Sequence, residues 1–467
     1  MKNSNGILIL TALICVTFSS LFAQNCSIEG ILPGAEGREI VLSTVKNYLS
    51  QTPEIIQKTT VGEDGSFSFS FTTSKIIPVS LSINYYATTF FIAPDRLYTL
   101  RGKNFYFDDF VNPIIAKPML PLFITNIDEL NRFIIRFNMA SEKVEESQYY
   151  AILSRQDFSA FDELTTSTEY LPETFQSFCS DYQYYTIGSL KAGYSKRRSQ
   201  KLGTTYLKSR TPSVYDYNYM IFFNAYFTNY LPDHGNNIPL TELITAIFRD
   251  QNVQKALSIL EKDPILSDET IRQMFLVKFI KDDSRVKHAA VKVLSDLKNI
   301  TADVGIKEAI DQILTEIMRL AFGTDAPILS LPDAEGKILS SDDLKGKYLY
   351  INFFKTTCLD CIAEMESMKN IYAKNSAFFE FISICIDDKE QAFLDFDKNY
   401  NYPWKVVYSG FYPDFINQWQ AKILPYYVLI DNNYKIKECP AKGPDDGISS
   451  IMEKISWEER RKQRAKE

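Results

Sequence analysis

Tyr348-Leu349-Tyr350-Ile351-Asn352-Phe353-Phe354 is followed, after Lys355-Thr356-Thr357, by Cys358-Leu359-Asp360-Cys361. The first run is apolar and aromatic and reads as a buried strand. Beyond the second cysteine, Ile362, Met365, Met368, Ile371 and Tyr372 recur at helical spacing. A Cys-x-x-Cys pair at a strand-to-helix junction is the arrangement for reversible disulfide chemistry. Two intervening residues put both sulfurs on one helical face, about a turn apart, so a bond closes without moving the backbone. The helix N-terminus adds partial positive charge, which favours the thiolate of Cys358.

Outward from this junction the pattern stays α/β over residues 321–457. Ala326-Pro327 and Gly336 mark a strand pair and turn, and Ser341 to Lys347 leads into the strand at 348–354. Phe381-Ile382-Ser383-Ile384-Cys385-Ile386 predicts a second strand, Phe393, Leu394 and Phe396 a helix, and Val406-Val407-Tyr408 a third strand. Tyr427-Val428-Leu429-Ile430 and Tyr434-Lys435-Ile436-Lys437 flank Asp431-Asn432-Asn433, which reads as an antiparallel hairpin. A last helix carries Ile448, Ile451, Met452 and Ile455. The charged tail 458–467 is expected to fray. Parallel βαβ followed by a hairpin and a helix makes a mixed sheet with helices on both faces.

The chain before this domain has two characters. Residues 24–105 read as an antiparallel β-sandwich: after the turn Gly62-Glu63-Asp64-Gly65, Ser66 to Phe71 alternates strictly, and Val79, Leu81, Ile83 and Tyr85 alternate with Ser80, Ser82 and Asn84. Residues 106–320 read as helical, with apolar faces at Leu130, Phe133, Ile134, Phe137, then Leu243, Ile244, Ile247, Phe248, and finally Ile310, Ile313, Leu314, Ile317. Tyr219, Phe222, Phe223 and Tyr226 share helical spacing and are expected in a core, not on a ligand platform. The basic cluster Lys191, Lys196, Arg197, Arg198 and Lys201 reads as a solvated surface.

Residues 1–23 read as a secretory signal: Lys2, an apolar run from Ile7 to Phe18, and Leu21-Phe22-Ala23 before the cleavage point. The run is shorter than the ~20 residues of a membrane span. Cys26 raises lipid attachment, but Asn25 precedes it where lipoprotein signals want a small residue, so the expectation is an unanchored exported protein. The net charge of −7 argues against nucleic acid as a partner. Only two histidines, His234 and His288, leave little room for His-based metal sites or triads.

Ala326-Pro327, Gly336-Lys337, Leu344-Lys345-Gly346-Lys347, Ile351-Asn352-Phe353, the Cys358–Cys361 motif, Leu424-Pro425 and Leu429-Ile430-Asp431 together resemble the TlpA/ResA-like thioredoxin-fold family, exported thiol–disulfide oxidoreductases related to AhpC/TSA proteins. The amino-terminal β domain is similar, more loosely, to a module that precedes such domains in exported proteins of Bacteroidota. The resemblance implies that Cys358 attacks, Cys361 resolves, and Pro425 is cis across from them. It implies a substrate groove shaped by Leu424, Pro425, Leu359 and Asp360, and places the acid of Cys-x-x-Cys-x-x-Glu, Glu364, near the buried thiol as a proton carrier. It implies no cofactor, a periplasmic or cell-envelope location, exported disulfide proteins as substrates, and a membrane or periplasmic electron donor.

The departures bear on redox poise. Thr357 stands where the family has Trp, no proline separates the cysteines, and Asn352 stands where cytoplasmic thioredoxins carry a buried acid. Asp360 beside Cys361 disfavours thiolates, with Lys355 as a partial offset, so a reducing protein is expected. Zinc binding needs ligands beyond Cys358 and Cys361, and Cys385 and Cys439 lie in separate strand-like segments. A peroxiredoxin needs Pro and Thr or Ser where Ile351 and Lys355 stand. The competing reading is a non-catalytic docking protein with a structural Cys358–Cys361 disulfide. A further disulfide among Cys26, Cys179, Cys385 and Cys439 stays open.

Overall fold

The computed structural model describes residues 24–83, 86–104, 119–166, 172–195, 200–231, 238–282, 290–387, 389–410, 413–421 and 423–464. The expected leader 1–23, Asn84, Tyr85, Lys196, Arg197, Arg198, His234 and His288 lie outside the described residues.

Two four-stranded sheets form the amino-terminal unit. One contains β1 (Gln24–Ile31), β4 (Ser66–Thr73), β7 (Leu97–Gly102) and β8 (Leu122–Ile124), in the order β4-β1-β7-β8. The other contains β2 (Glu39–Val45), β3 (Pro53–Thr60), β5 (Ile77–Ile83) and β6 (Tyr86–Ile92), in the order β3-β2-β5-β6. The alternation of Ser66 to Phe71 turns Phe67 and Phe69 into the core between the sheets. Gly30 pairs with Phe67 in register, and the Phe67 ring fills the space a side chain on Gly30 would need. Pairing is antiparallel except between β1 and β7, which run parallel with Ile28 beside Tyr98.

The expected start of the helical region at 106 lies outside the described residues, which resume at Met119. Leu122–Ile124 extends the first sheet, and a three-residue strand is too short for alternation to reveal it. The first helix, α1 (Glu129–Tyr150), starts where the Asp128 side chain accepts from Asn131 N. There follow α2 (Ser159–Thr166), α3 (Gln176–Tyr194), α4 (Gln200–Leu207), α5 (Tyr217–Phe227), α6 (Leu240–Ile244), α7 (Val253–Leu260), α8 (Glu269–Asp282), α9 (Val291–Ile300) and α10 (Val304–Met318). Tyr219, Phe222, Phe223 and Tyr226 are all fully buried, which is the core role their spacing predicts. Of the basic cluster, Lys191 pairs with Asp162 and Lys201 is exposed. The β unit is tied to this region by Asn47, itself buried, whose Nδ2 donates to Gly305 O at 2.7 Å.

The carboxy-terminal domain is a five-stranded mixed sheet with helices on both faces. A short hairpin, β9 (Ser330–Pro332) and β10 (Ile338–Ser340), precedes it. Its elements are β11 (Tyr348–Phe354), α11 (Leu359–Asn375), β12 (Phe379–Cys385), α12 (Glu390–Tyr400), β13 (Lys405–Tyr408), α13 (Pro413–Trp419), β14 (Tyr426–Ile430), β15 (Ile436–Glu438) and α14 (Ile448–Arg464). The order is β13-β12-β11-β14-β15, with β11 to β13 parallel and β14 and β15 antiparallel. Alternation along β11 sends Tyr350 and Phe354 to the face covered by α11, α12 and α14. Leu349, Ile351 and Phe353 go to the face covered by α13 and its fully buried Trp419. The segment expected to fray beyond residue 457 instead continues α14 to Arg464, where Arg461 lies over the Trp457 ring and Lys462 pairs with Glu459.

Candidate active site

The turn after β11 and the first residue of α11 build the centre. Cys358 N donates to Lys355 O at 3.0 Å, which closes the turn. Cys358 is the N-cap of α11, its Sγ accepting from Cys361 N at 3.1 Å. The two cysteines form a disulfide with their Cα atoms 5.2 Å apart. Cys358 is half-buried, whereas Cys361 is only 1 % exposed and packs with Met365, Tyr350 and Phe354. Access thus differs between the two sulfurs, and access together with ionisation governs which of two thiols exchanges first.

The antiparallel register sets Tyr426 beside Phe353, so the loop before β14 lies at the end of β11 from which the cysteine turn departs. In that loop the Leu424–Pro425 peptide bond is cis. Leu424 is partly buried and packs against the cores on both faces of the sheet. Leu359 and Ile423, by contrast, are 80 % and 78 % exposed.

The family profile described as Redoxin matches residues 321–453. The thiol-disulfide oxidoreductase ResA of a Bacillus cereus strain is 32 % identical over 121 residues, which is 26 % of this chain and 69 % of that protein. The chain belongs to the ResA family of thiol–disulfide oxidoreductases. ResA of Bacillus thuringiensis subsp. konkukian is 29 % identical over 146 residues, 30 % of this chain and 83 % of that protein. Among solved structures, the thioredoxin domain of a thiol-disulfide oxidoreductase from Bacteroides vulgatus is 24 % identical, covering 29 % of this chain and 98 % of that one, with a TM-score of 0.27. A thiol:disulfide interchange protein from a Bacteroides species is 24 % identical, covering 29 % of this chain and 91 % of that one, with a TM-score of 0.26.

Other polar residues of this ResA-family domain lie on α11 and on the central strands. Glu364 lies one turn beyond Cys361 on the same side of α11, and its Oε2 accepts from Tyr427 Oη at 2.6 Å. Burial, and then this hydrogen bond to a carboxylate, push the Tyr427 phenol far up. Tyr427 stacks on Tyr350 with ring centroids 5.3 Å apart, and Tyr350 Oη donates to Lys442 O at 2.8 Å. Asn352 is buried, and its Oδ1 accepts from Ser383 Oγ at 2.5 Å; that hydroxyl in turn accepts from Trp404 Nε1 at 2.8 Å. Asp360 is exposed in the first turn of α11.

Three features of the site have no sequence signal of their own. Tyr427 was legible only as a strand residue, Ile423 falls in a loop, and Asp387 follows a strand as one of two adjacent acids. Cys179, Cys385 and Cys439 form no disulfide with another described residue. Among the described residues no group of three or more His, Cys, Asp or Glu side chains is placed to hold a metal ion. No described helix is long and apolar enough to cross a membrane.

Proposed function

We propose that the protein is exported and reduces disulfides of other exported proteins through Cys358 and Cys361. The observation that carries this reading is the unequal burial of two bonded sulfurs at a helix N-terminus. In the reduced protein the Cys358 thiolate attacks a client disulfide, forming a mixed disulfide and releasing one client sulfur as a thiolate that takes up a proton. Cys361 then loses its proton and attacks Cys358 Sγ. The second client sulfur leaves as a thiol and the Cys358–Cys361 bond re-forms. Two electrons pass to the client, and a dithiol donor protein of the envelope returns them.

Glu364 takes the Cys361 proton in the resolving step and returns it on reduction. Pro425 and Leu424 form one wall of the groove for an extended client segment, with Leu359 and Asp360 on the other. Asp360 opposes thiolate formation at the helix end, which favours the disulfide and makes the pair a reductant. Export rests on the leader-like segment 1–23 and on the resemblance to exported oxidoreductases.

Equilibration of the full chain with glutathione, combined with a Cys361→Ala trap, tests this. A potential in the reducing, thioredoxin-like range, with exported proteins captured on Cys358, is the expected result. A pair that fails to equilibrate with dithiols, or a trap that captures nothing, turns the reading to a docking protein with a structural disulfide.

A further inference from the structure

The turn that presents Cys358 is held from beneath by a residue outside it. Within the turn, Thr356 N donates to Asp387 Oδ2 at 2.8 Å. The same oxygen accepts from Cys385 Sγ at 3.3 Å. Asp387 is 6 % exposed and lies just past β12. Its neighbour Ile386 donates from N to Phe354 O at 2.9 Å, and Phe354 pairs with Cys385 in register. The β11–β12 ladder therefore fixes Asp387 against the point where the chain leaves β11 for the cysteines.

A buried carboxyl group persists only where hydrogen bonds replace its water. Both donors found here, a backbone amide and a thiol, are uncharged. Burial raises the Cys385 thiol first, Asp387 raises it further, and Lys355, from the turn itself, opposes them. Asp360 and Glu364 are the other acids on α11 near the disulfide.

We propose that Asp387 is a positioning residue for disulfide exchange: it anchors the turn that carries Cys358 and places beneath it a negative charge that makes the Cys358–Cys361 pair more reducing. The disulfide is neutral, whereas the reduced pair gains stability from any thiolate it forms. A negative charge nearby withholds that stability and shifts the balance toward the disulfide. The inference rests on the reading of Cys358 and Cys361 as the exchanging pair.

The full chain, as wild type and as Asp387→Asn, Asp387→Ala and Cys385→Ala, is equilibrated at neutral pH with mixtures of reduced and oxidised glutathione. The dithiol fraction is read by mass-tagging alkylation, and folding is checked by circular dichroism. Asp387→Asn keeps an acceptor for Thr356 N and removes only the charge. It is expected to shift the constant about tenfold toward the dithiol, equivalent to ~30 mV for two electrons. Asp387→Ala is expected to shift it the same way and also to slow reduction, because the turn loses its anchor. Cys385→Ala keeps the charge and is expected to stay within about twofold of wild type. Either neutral variant that folds reads the charge, and a constant within about twofold of wild type in that variant overturns the proposal. A wild-type pair that does not equilibrate at all overturns the reading beneath it, and this inference with it.

Discussion

Tyr427 Oη donates to Glu364 Oε2 at 2.6 Å and so joins α11 to β14 one helical turn past Cys361. A hydrogen bond to a charged group contributes about 1.5–3 kcal/mol, less where water reaches one partner, as it does half-buried Glu364. Tyr427→Phe is expected to cost about 1–2 kcal/mol in a denaturant titration while leaving exchange largely intact, because the carboxylate remains. Glu364→Gln removes the proposed proton carrier and is expected to slow the resolving step about a hundredfold. Stopped-flow fluorescence on a client disulfide separates the two variants. Wild-type rates in Glu364→Gln would leave Glu364 with a structural role alone.

Thiol reactivity in the reduced protein should follow access and ionisation. Cys358 is half-buried at a helix N-terminus, whereas Cys361 is 1 % exposed. Burial, with Asp128 as a smaller cause, raises the Cys179 thiol to about 12. At pH 8 only about one in ten thousand of such thiols is ionised. Iodoacetamide at that pH is expected to label Cys358 first and to leave Cys179 and Cys385 untouched until the chain unfolds. Peptide mass spectrometry over a time course checks the order, and Cys179 labelled as fast as Cys358 contradicts it.

Alkaline pH should destabilise the fold. Burial raises Cys179 to about 12 and Cys439 to about 11, both above the value near 9 of a free thiol. Between those values the native state holds protons that the unfolded chain has lost, so stability is fully present below pH 9 and falls as pH rises toward 11 and 12. The thermal midpoint is expected to drop over this window. Cys179→Ala should flatten the drop without abolishing it, since Cys439 still titrates. A midpoint that is level from pH 9 to 11 would contradict the linkage.

The helical core should be sensitive to truncation independently of the redox pair. Phe223 is fully buried and its ring lies 4.8 Å from that of Phe227. Phe223→Ala is expected to cost about 3–5 kcal/mol in chemical denaturation of the full chain. The glutathione equilibrium of Cys358–Cys361 should be unchanged in the folded variant, because Phe223 and the disulfide belong to separate cores. A shifted equilibrium would reveal coupling between the two.

The legible parts of this protein were those whose signals are local. A buried strand of seven residues, a Cys-x-x-Cys pair and a helical stripe stand next to one another in the chain, and β11 and α11 form where they predict. The hairpin of β14 and β15 is likewise announced by its turn residues, although β15 begins only at Ile436. Contacts across long separations left no mark. Nothing near Glu364 points to Tyr427, which is 63 residues away, and nothing near Thr356 points to Asp387, which is 31 residues away. Helix α13 is seven residues long with a buried tryptophan, too short for a stripe to declare itself. The continuation of α14 through Glu458, Glu459, Arg460 and Arg461 was hidden because charge alone does not distinguish a solvated helix from a loose end.

The sulfur of Cys358 belongs at once to the disulfide and to the cap of α11. Opening the disulfide exchanges a weakly accepting sulfur for a thiolate, a stronger acceptor for the Cys361 amide. The cap of α11 is therefore expected to persist on reduction, so the sulfur that carries the exchange also orients the helix that presents it.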